Sequence, residues 1–332
     1  MKPEEYPLAV GGQAVLEGVM MRSPHAMAVA VRRPDGTVLL KDEAYTSLAE
    51  RYPLFKRPLL RGPLILMEAM ITGIKALTFS AQAALQEDEA EPAEAPLGWV
   101  SMALTLGSAF LLAFLFFGFL PHWLSAMAGH LVGRPLTPAD FAFHVIDGVI
   151  KAAFILLYIW GISFFPDIRR VFEYHGAEHK SICTFEAGEE LTVANARRHP
   201  TAHARCGTSF ILVVLLVSIL IFTVFFPLFP PLTRPGLVNN LVQVLIKVGL
   251  LIPIAALSYE IIRWGGKRTG HSLARALLWP GLVTQRLTAL EPDDSQLEVA
   301  LEALKAVLAR EQHPDAAEPV ALQQAHYAEC RH

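Results

Sequence analysis

The chain has 332 residues, of which 53% are hydrophobic in type and only 18% charged, with a formal net charge of −3. Soluble domains of this length are normally about a quarter charged, so the composition argues against an ordinary soluble globule. Three cysteines, Cys183, Cys206 and Cys330, form no framework spacing, which speaks against a disulfide scaffold.

Residues 1–58 are expected to form a small cytosolic arm. It holds a glycine-bracketed stretch, Gly11-Gly12-Gln-Ala-Val-Leu-Glu17-Gly18-Val-Met-Met-Arg22-Ser-Pro24, which suggests a constrained loop. No G-K-[ST] follows, so this is not a P-loop. Ala26–Val31 alternates weakly, Arg33-Pro-Asp-Gly36 is a turn signal, and Thr37–Leu40 resumes an extended pattern, which together predict a β-hairpin. Residues 1–20 lack a basic start followed by an apolar core, so insertion would rely on internal segments. Residues 59–85 are apolar and helix-favouring, with Arg61, Glu68 and Lys75 on one face at seven-residue spacing. A helix lying in the membrane interface fits this, with a buried helix of the cytosolic domain as the alternative. Residues 86–96 read as an acidic, solvated linker.

Four apolar runs follow, roughly Leu97–Leu120, Phe141–Phe165, Thr208–Leu232 and Leu237–Ile262. Each approaches or exceeds the ~20 residues that cross a bilayer. They divide the chain into a transmembrane pair at 97–165, a cytosolic segment at 166–207, a second pair at 208–262 and a cytosolic tail at 263–332. Lys and Arg concentrate in the arm, the 166–207 segment and the tail. The two other loops carry only Arg134 and Arg234. The distribution predicts a membrane α-helical protein with four transmembrane helices and both termini cytoplasmic. A small cytosolic α+β domain would be assembled from the arm, the central segment and the tail. The tail helix is expected over Asp294–Glu311, with Leu297, Ala300, Leu301, Leu304 and Leu308 on one face. Basic residues near the membrane point to lipid headgroups and not to nucleic acid.

Chemistry concentrates in His175-Gly-Ala-Glu178-His179. Helical spacing puts the two imidazoles on one face, with a carboxylate beside the second, as in the inverted zinc-peptidase motif. His175 and His179 would hold a divalent metal, most simply zinc, and Glu178 would take a proton from water. A third ligand is needed, and His203, Cys206, Glu260 and Glu17 are the possibilities. The alternative is a hydrogen-bonded polar network without metal, since the motif is short and Gly176 disfavours helix by about 1 kcal/mol relative to Ala. A second group lies within the membrane. His144, Asp147 and Lys151 fall at i, i+3, i+7 on the second span, and Asn240, Gln243 and Lys247 repeat the spacing on the fourth. A helix-packing network is the simpler reading, and a polar pocket or ion pathway the other.

Several motifs together resemble one family. Gly11–Arg22, Phe172-Glu-Tyr-His-Gly-Ala-Glu-His-Lys180, His203-Ala-Arg-Cys-Gly-Thr-Ser-Phe210 and Pro280-Gly…Gln285-Arg-Leu-Thr288…Glu291-Pro292 are similar to the signatures of the bacterial YqhQ-type multipass membrane proteins. These are commonly described as predicted metal-dependent enzymes. The resemblance implies the bacterial cytoplasmic (inner) membrane and raises the expectation of a metal, but supplies no reaction. Three functions remain open: a zinc-dependent hydrolase at the cytoplasmic face, acting on a membrane protein or lipid; a membrane scaffold or assembly partner with a structural site; and a transporter or channel, which four spans would favour only in a homo-oligomer.

Overall fold

A computed structural model describes residues 8–48, 52, 55, 57–85, 99–131, 133, 136–137, 140–204, 206–228, 237–266, 268 and 271–313. The acidic linker, the basic residues Arg134, Arg205, Arg234 and Lys267, and the tail with Cys330 and His332 lie outside the described residues.

Four strands come first: β1 Gly11–Val15, β2 Gly18–Arg22, β3 Ala26–Arg32 and β4 Val38–Ala44. They form an antiparallel meander in sequence order. β3 and β4 pair from Ala26 opposite Ala44 to Arg32 opposite Val38. The glycine-bracketed stretch is not a loop but a second hairpin, with Gly12 opposite Met21 and Val15 opposite Gly18. Glu17 closes it at a φ of 51°. Hydrophobic alternation is weak in β3 because both its faces are covered. Ala28 and Ala30 face one helical layer, and Met27, Val29 and Val31 the other. The period of two survives only as small against large.

The helices are α1 Arg61–Leu85, α2 Trp99–Ala113, α3 Leu120–Leu131, α4 Phe141–Ile162, α5 Pro166–Glu186, α6 Val193–Ala196, α7 Gly207–Leu228, α8 Leu237–Gly266, α9 Ser272–Thr288 and α10 Asp294–Gln312. A π-helical turn, Phe114–Phe119, joins α2 to α3. α1 covers one face of the sheet, where Ala76 and Ala83 meet Val15, Met20 and Val29. α5 and α10 cover the other, where Tyr174, Ala177 and Ile182 meet Leu297, Leu301 and Leu304. Each such leucine contributes about 1.5–3 kcal/mol by leaving water. An Asp293–Gln296 capping box starts α10. Near its end the Arg310 Nε donates to buried Asp42 on β4 at 2.7 Å. Arm, centre and tail therefore share one core.

Among the described residues, five helices are long and apolar enough to cross a membrane: Arg61–Ala84, Ala103–Leu131, Phe141–Ile162, Gly207–Leu228 and Leu241–Gly266. The first of these is the helix expected at the interface. Two of its three charges meet protein partners: Arg61 Nε donates to Glu260 at 2.7 Å, and Glu68 accepts from Ser47 Oγ at 2.9 Å and from the Leu48 N–H, while Lys75 is exposed. Its outward face is Met67, Met70, Ile71, Ile74 and Leu77. The expected end of the first span at Leu120 is corrected. The helix runs on to Leu131, because the π turn lets the Leu120 N–H reach Leu115 O and so absorbs the break that Pro121 would cause. α9 is also a helix where only tail was expected.

Candidate metal centre

α5 carries the site. Pro166 stands in its first turn, where a missing N–H is no loss, and Asp167 complements the helix dipole there. Tyr174 through Ile182 are all buried, since sheet, α10 and the α9–α10 connection surround this stretch. Gly176 is explained by that crowding. A Cβ there would overlap the carbonyl oxygen of Leu290, and the Leu290 N–H donates to Phe172 O at 2.9 Å.

Two backbone carbonyls set the histidine tautomers. His175 Nδ1 lies 2.7 Å from Thr288 O, at the end of α9, and His179 Nδ1 bonds Thr201 O. A carbonyl only accepts, so each Nδ1 carries the proton and each Nε2 is left with a lone pair. His179 Nε2 is buried with no hydrogen-bond partner. His175 Nε2 lies 3.2 Å from Cys206 Sγ. The donor atoms of His175, His179 and Cys206 all fall within 4.8 Å of one another. Donors held tetrahedrally by zinc stand about 3.3–3.6 Å apart, so the set fits a metal after its widest pair closes by about 1 Å. The orphaned Nε2 is the atom such an ion would satisfy.

Burial sets the proton affinities. It pushes the His179 pKa down to about 3, helped by the neighbouring His175. It also lowers His203. These rings are neutral near pH 7, as ligands must be. Burial raises the Cys206 thiol, while the Thr208 hydroxyl and the N–H groups of Thr208 and Ser209 at the start of α7 pull it back. Glu178 is pushed up to about 7 by burial, and Cys206 adds to this. The nearby His175 ring and the Gly12 N–H oppose it. Gly12 is needed because a Cβ would approach Glu178 Cγ to 2.9 Å.

The remaining sequence expectations separate. His203 sits behind the cluster, its ring 5.6 Å from that of His179, with Nε2 turned 3.4 Å from Glu186. Glu17 is not at the cluster. Arg170 takes both its carboxylate oxygens at 2.5 Å, and this hydrogen bonding raises the guanidinium pKa. Glu260 is held by Arg61 in the same bidentate manner. Sequence reasoning missed Gln285, which brackets the His203 backbone at 2.8 and 2.9 Å and also donates to Ser209 at 2.8 Å. It missed the two carbonyls too, which no side-chain pattern reveals.

Of the polar group on α4 and α8, Asp147, Lys151 and Lys247 are joined by hydrogen bonds. Asp147 Oδ2 accepts from Lys247 at 2.6 Å and from Lys151 at 2.8 Å. Lys247 Nζ also lies 3.2 Å from His122 Nδ1 and over the rings of Phe143, Phe222 and Phe226. His144 stacks on Phe226, and Gln243 Oε1 is buried without a hydrogen-bond partner. The Asn240 side chain lies outside the described residues. His122 was not expected here, because α3 was read as a loop.

A family model described as protein of unknown function (DUF1385) matches residues 57–310. The chain belongs to this family. It is also 33% identical over 312 residues to the uncharacterized protein YqhQ of Bacillus subtilis (strain 168), which covers 93% of this chain and 95% of that protein. No solved structure matches. The family match spans the donors His175, His179 and Cys206, and stops short of the β-sheet that presses Gly12 onto Glu178.

Proposed function

We propose that the protein is a zinc-dependent hydrolase at the cytoplasmic face of the bacterial inner membrane. The observation that carries this is the pair of carbonyl-fixed histidines whose Nε2 atoms converge on Cys206 beside a buried Glu178. A bound zinc would lower the pKa of water to about 7 and polarise a carbonyl or phosphoryl oxygen. Burial raises the Glu178 pKa to about 7 in the metal-free fold, and the charge of a nearby zinc would draw it down toward the carboxylate that accepts a proton from water. Thr288 and Thr201 would keep the rings oriented, and Gln285 the loop that bears His203.

In this reading four helices cross the membrane and both termini lie inside. α1 lies along the interface, supported by the pairing of Arg61 and Glu68 with the protein, by exposed Lys75 and by its packing on the sheet. Exposed Trp160 near the end of α4 and Trp279 on α9 fit an aromatic belt at the cytoplasmic boundary. A membrane-resident peptide or lipid is then the substrate class.

A second reading, a structural zinc in a scaffold, is favoured by one observation: His175, Glu178, His179 and Cys206 are all less than 10% exposed. Elemental mass spectrometry of chelator-free protein, paired with Glu178→Gln, separates the readings. About one zinc per chain, with hydrolysis lost and zinc retained in Glu178→Gln, supports the hydrolase. Zinc retained with no change in any function supports the scaffold, and no zinc removes both.

A further inference from the structure

A cavity of about 440 Å³ lies between α1 and the β3–β4 part of the sheet, away from the His–Cys cluster. Met27, Val29 and Phe79 form its apolar interior, and Lys41 and Lys75 stand at its exposed rim. We propose that this cavity binds the headgroup of an anionic membrane lipid, with the phosphate on Lys41 and Lys75.

The outward face of α1 supports this first. At 100° per residue, Met67, Met70, Ile71, Ile74 and Leu77 fall within an arc of about 120°. A soluble helix turns its charges out and its apolar arc in. α1 instead ties Arg61 and Glu68 to protein partners and exposes the arc, with Lys75 as its exposed charge at the edge of that arc. Lipid is the partner whose chemistry matches such a face. Ile74 belongs both to the arc and to the cavity lining, so bilayer and cavity are continuous along one side chain.

Charge supports it second. Lys75 makes no ion pair or hydrogen bond among the described residues. Lys41 has only a 3.6 Å contact to Glu43 across a solvent-exposed strand surface, a pairing of small energy. The Lys41 ammonium lies 5.6 Å from the centre of the Phe79 ring, which keeps it at the cavity mouth. Two lysines against one glutamate leave a net positive rim over an apolar interior. A free phosphate would use the rim but not the interior, and a zwitterionic lipid would use the interior but gain little from the rim. The volume lies within the range of small-ligand sites, so beyond the headgroup only the first methylenes of a tail would enter, against Met27, Val29 and Phe79, and the rest of the tails would stay in the bilayer along the arc.

The test is native mass spectrometry of the full chain in mild detergent, titrated with short-chain phosphatidylglycerol. Phosphatidylcholine of equal chain length and inorganic phosphate serve as the two comparison arms. One phosphatidylglycerol should be retained in preference to phosphatidylcholine, and phosphate should not displace it. Lys41→Ala/Lys75→Ala should weaken retention about 30-fold, since each lysine near an anionic lipid contributes roughly a fivefold effect. Thr78→Trp, which narrows the mouth and leaves both charges, should weaken it as well, so the test survives if the double variant fails to fold. Equal retention of the two lipids, displacement by phosphate, or undiminished binding in the folded variants would overturn the proposal.

Discussion

Glu178→Gln should change how stability depends on pH in metal-free protein. In the fold the carboxyl has a pKa of about 7 against an ordinary 4.5, chiefly because it is buried. A raised pKa stabilises the fold fully below about 4.5, and that contribution is lost as pH rises to about 7. The shift of about 2.5 units corresponds to about 3 kcal/mol, at about 1.36 kcal/mol per unit. His179 works in the opposite sense. Its depressed pKa contributes stability above pH 6.5, which fades as pH falls toward 3. The wild-type curve alone therefore mixes two slopes. Subtracting the Glu178→Gln curve removes His179 and leaves Glu178, because Gln keeps the volume and can still accept the Gly12 N–H. Chelator-washed protein in detergent would be unfolded by heat and by denaturant at pH 5 and pH 8. Wild type should lose about 2.5 kcal/mol relative to the variant between the two, since part of the effect already lies below pH 5. A difference independent of pH would refute the reasoning, because it would mean that the buried carboxyl has a partner that keeps it ionised.

His175→Ala/His179→Ala should reduce bound zinc from about one per chain to none, as measured by elemental mass spectrometry, while membrane insertion persists. Gly176→Ala should destabilise by about 1–3 kcal/mol in the same denaturation assay, since the new Cβ meets the Leu290 carbonyl; an unchanged midpoint would show that the α9–α10 connection yields freely. Asp147→Asn should cost about 3–5 kcal/mol by leaving buried Lys247 and half-buried Lys151 without their carboxylate, and adding Lys247→Met should recover a large part of it. Failure of the double variant to recover would mean that the network acts through more than charge balance.

Much of the architecture was legible in the sequence. The four apolar runs mark four of the five helices long and apolar enough to cross a membrane, because a lipid-exposed helix must be apolar over its whole length. Arg33-Pro-Asp-Gly36 marks the β3–β4 turn, and Leu297, Ala300, Leu301 and Leu304 mark the α10 core face. The β1–β2 hairpin was not legible, because Gly11, Gly12 and Gly18 mimic a loop. Gly12 and Gly18 serve close approaches, to Glu178 at Gly12 and to the β3 backbone at Gly18. At the site, His175, His179 and Cys206 could be named from residue type and spacing. Glu17 and Glu260 could not be set aside, because only the fold reveals Arg170 and Arg61 as their partners. Thr288 and Thr201 were invisible in principle: they act through main-chain oxygens, which every residue possesses.

The sheet and its covering helix come from opposite ends of the chain, and this has a consequence for biogenesis. β3 ends at Arg32 and α10 begins at Asp294, so about 260 residues are synthesised between them. At roughly 5–20 residues per second, the alanine face of β3 waits about 13–50 s for Leu297, Leu301 and Leu304 to emerge from the ribosome. During that interval the membrane helices are already being inserted and the unfinished sheet has one open apolar side. A truncation before Asp294 would make that waiting state permanent. The cell's quality-control proteases would then meet a protein correctly threaded through the bilayer and still recognisably incomplete.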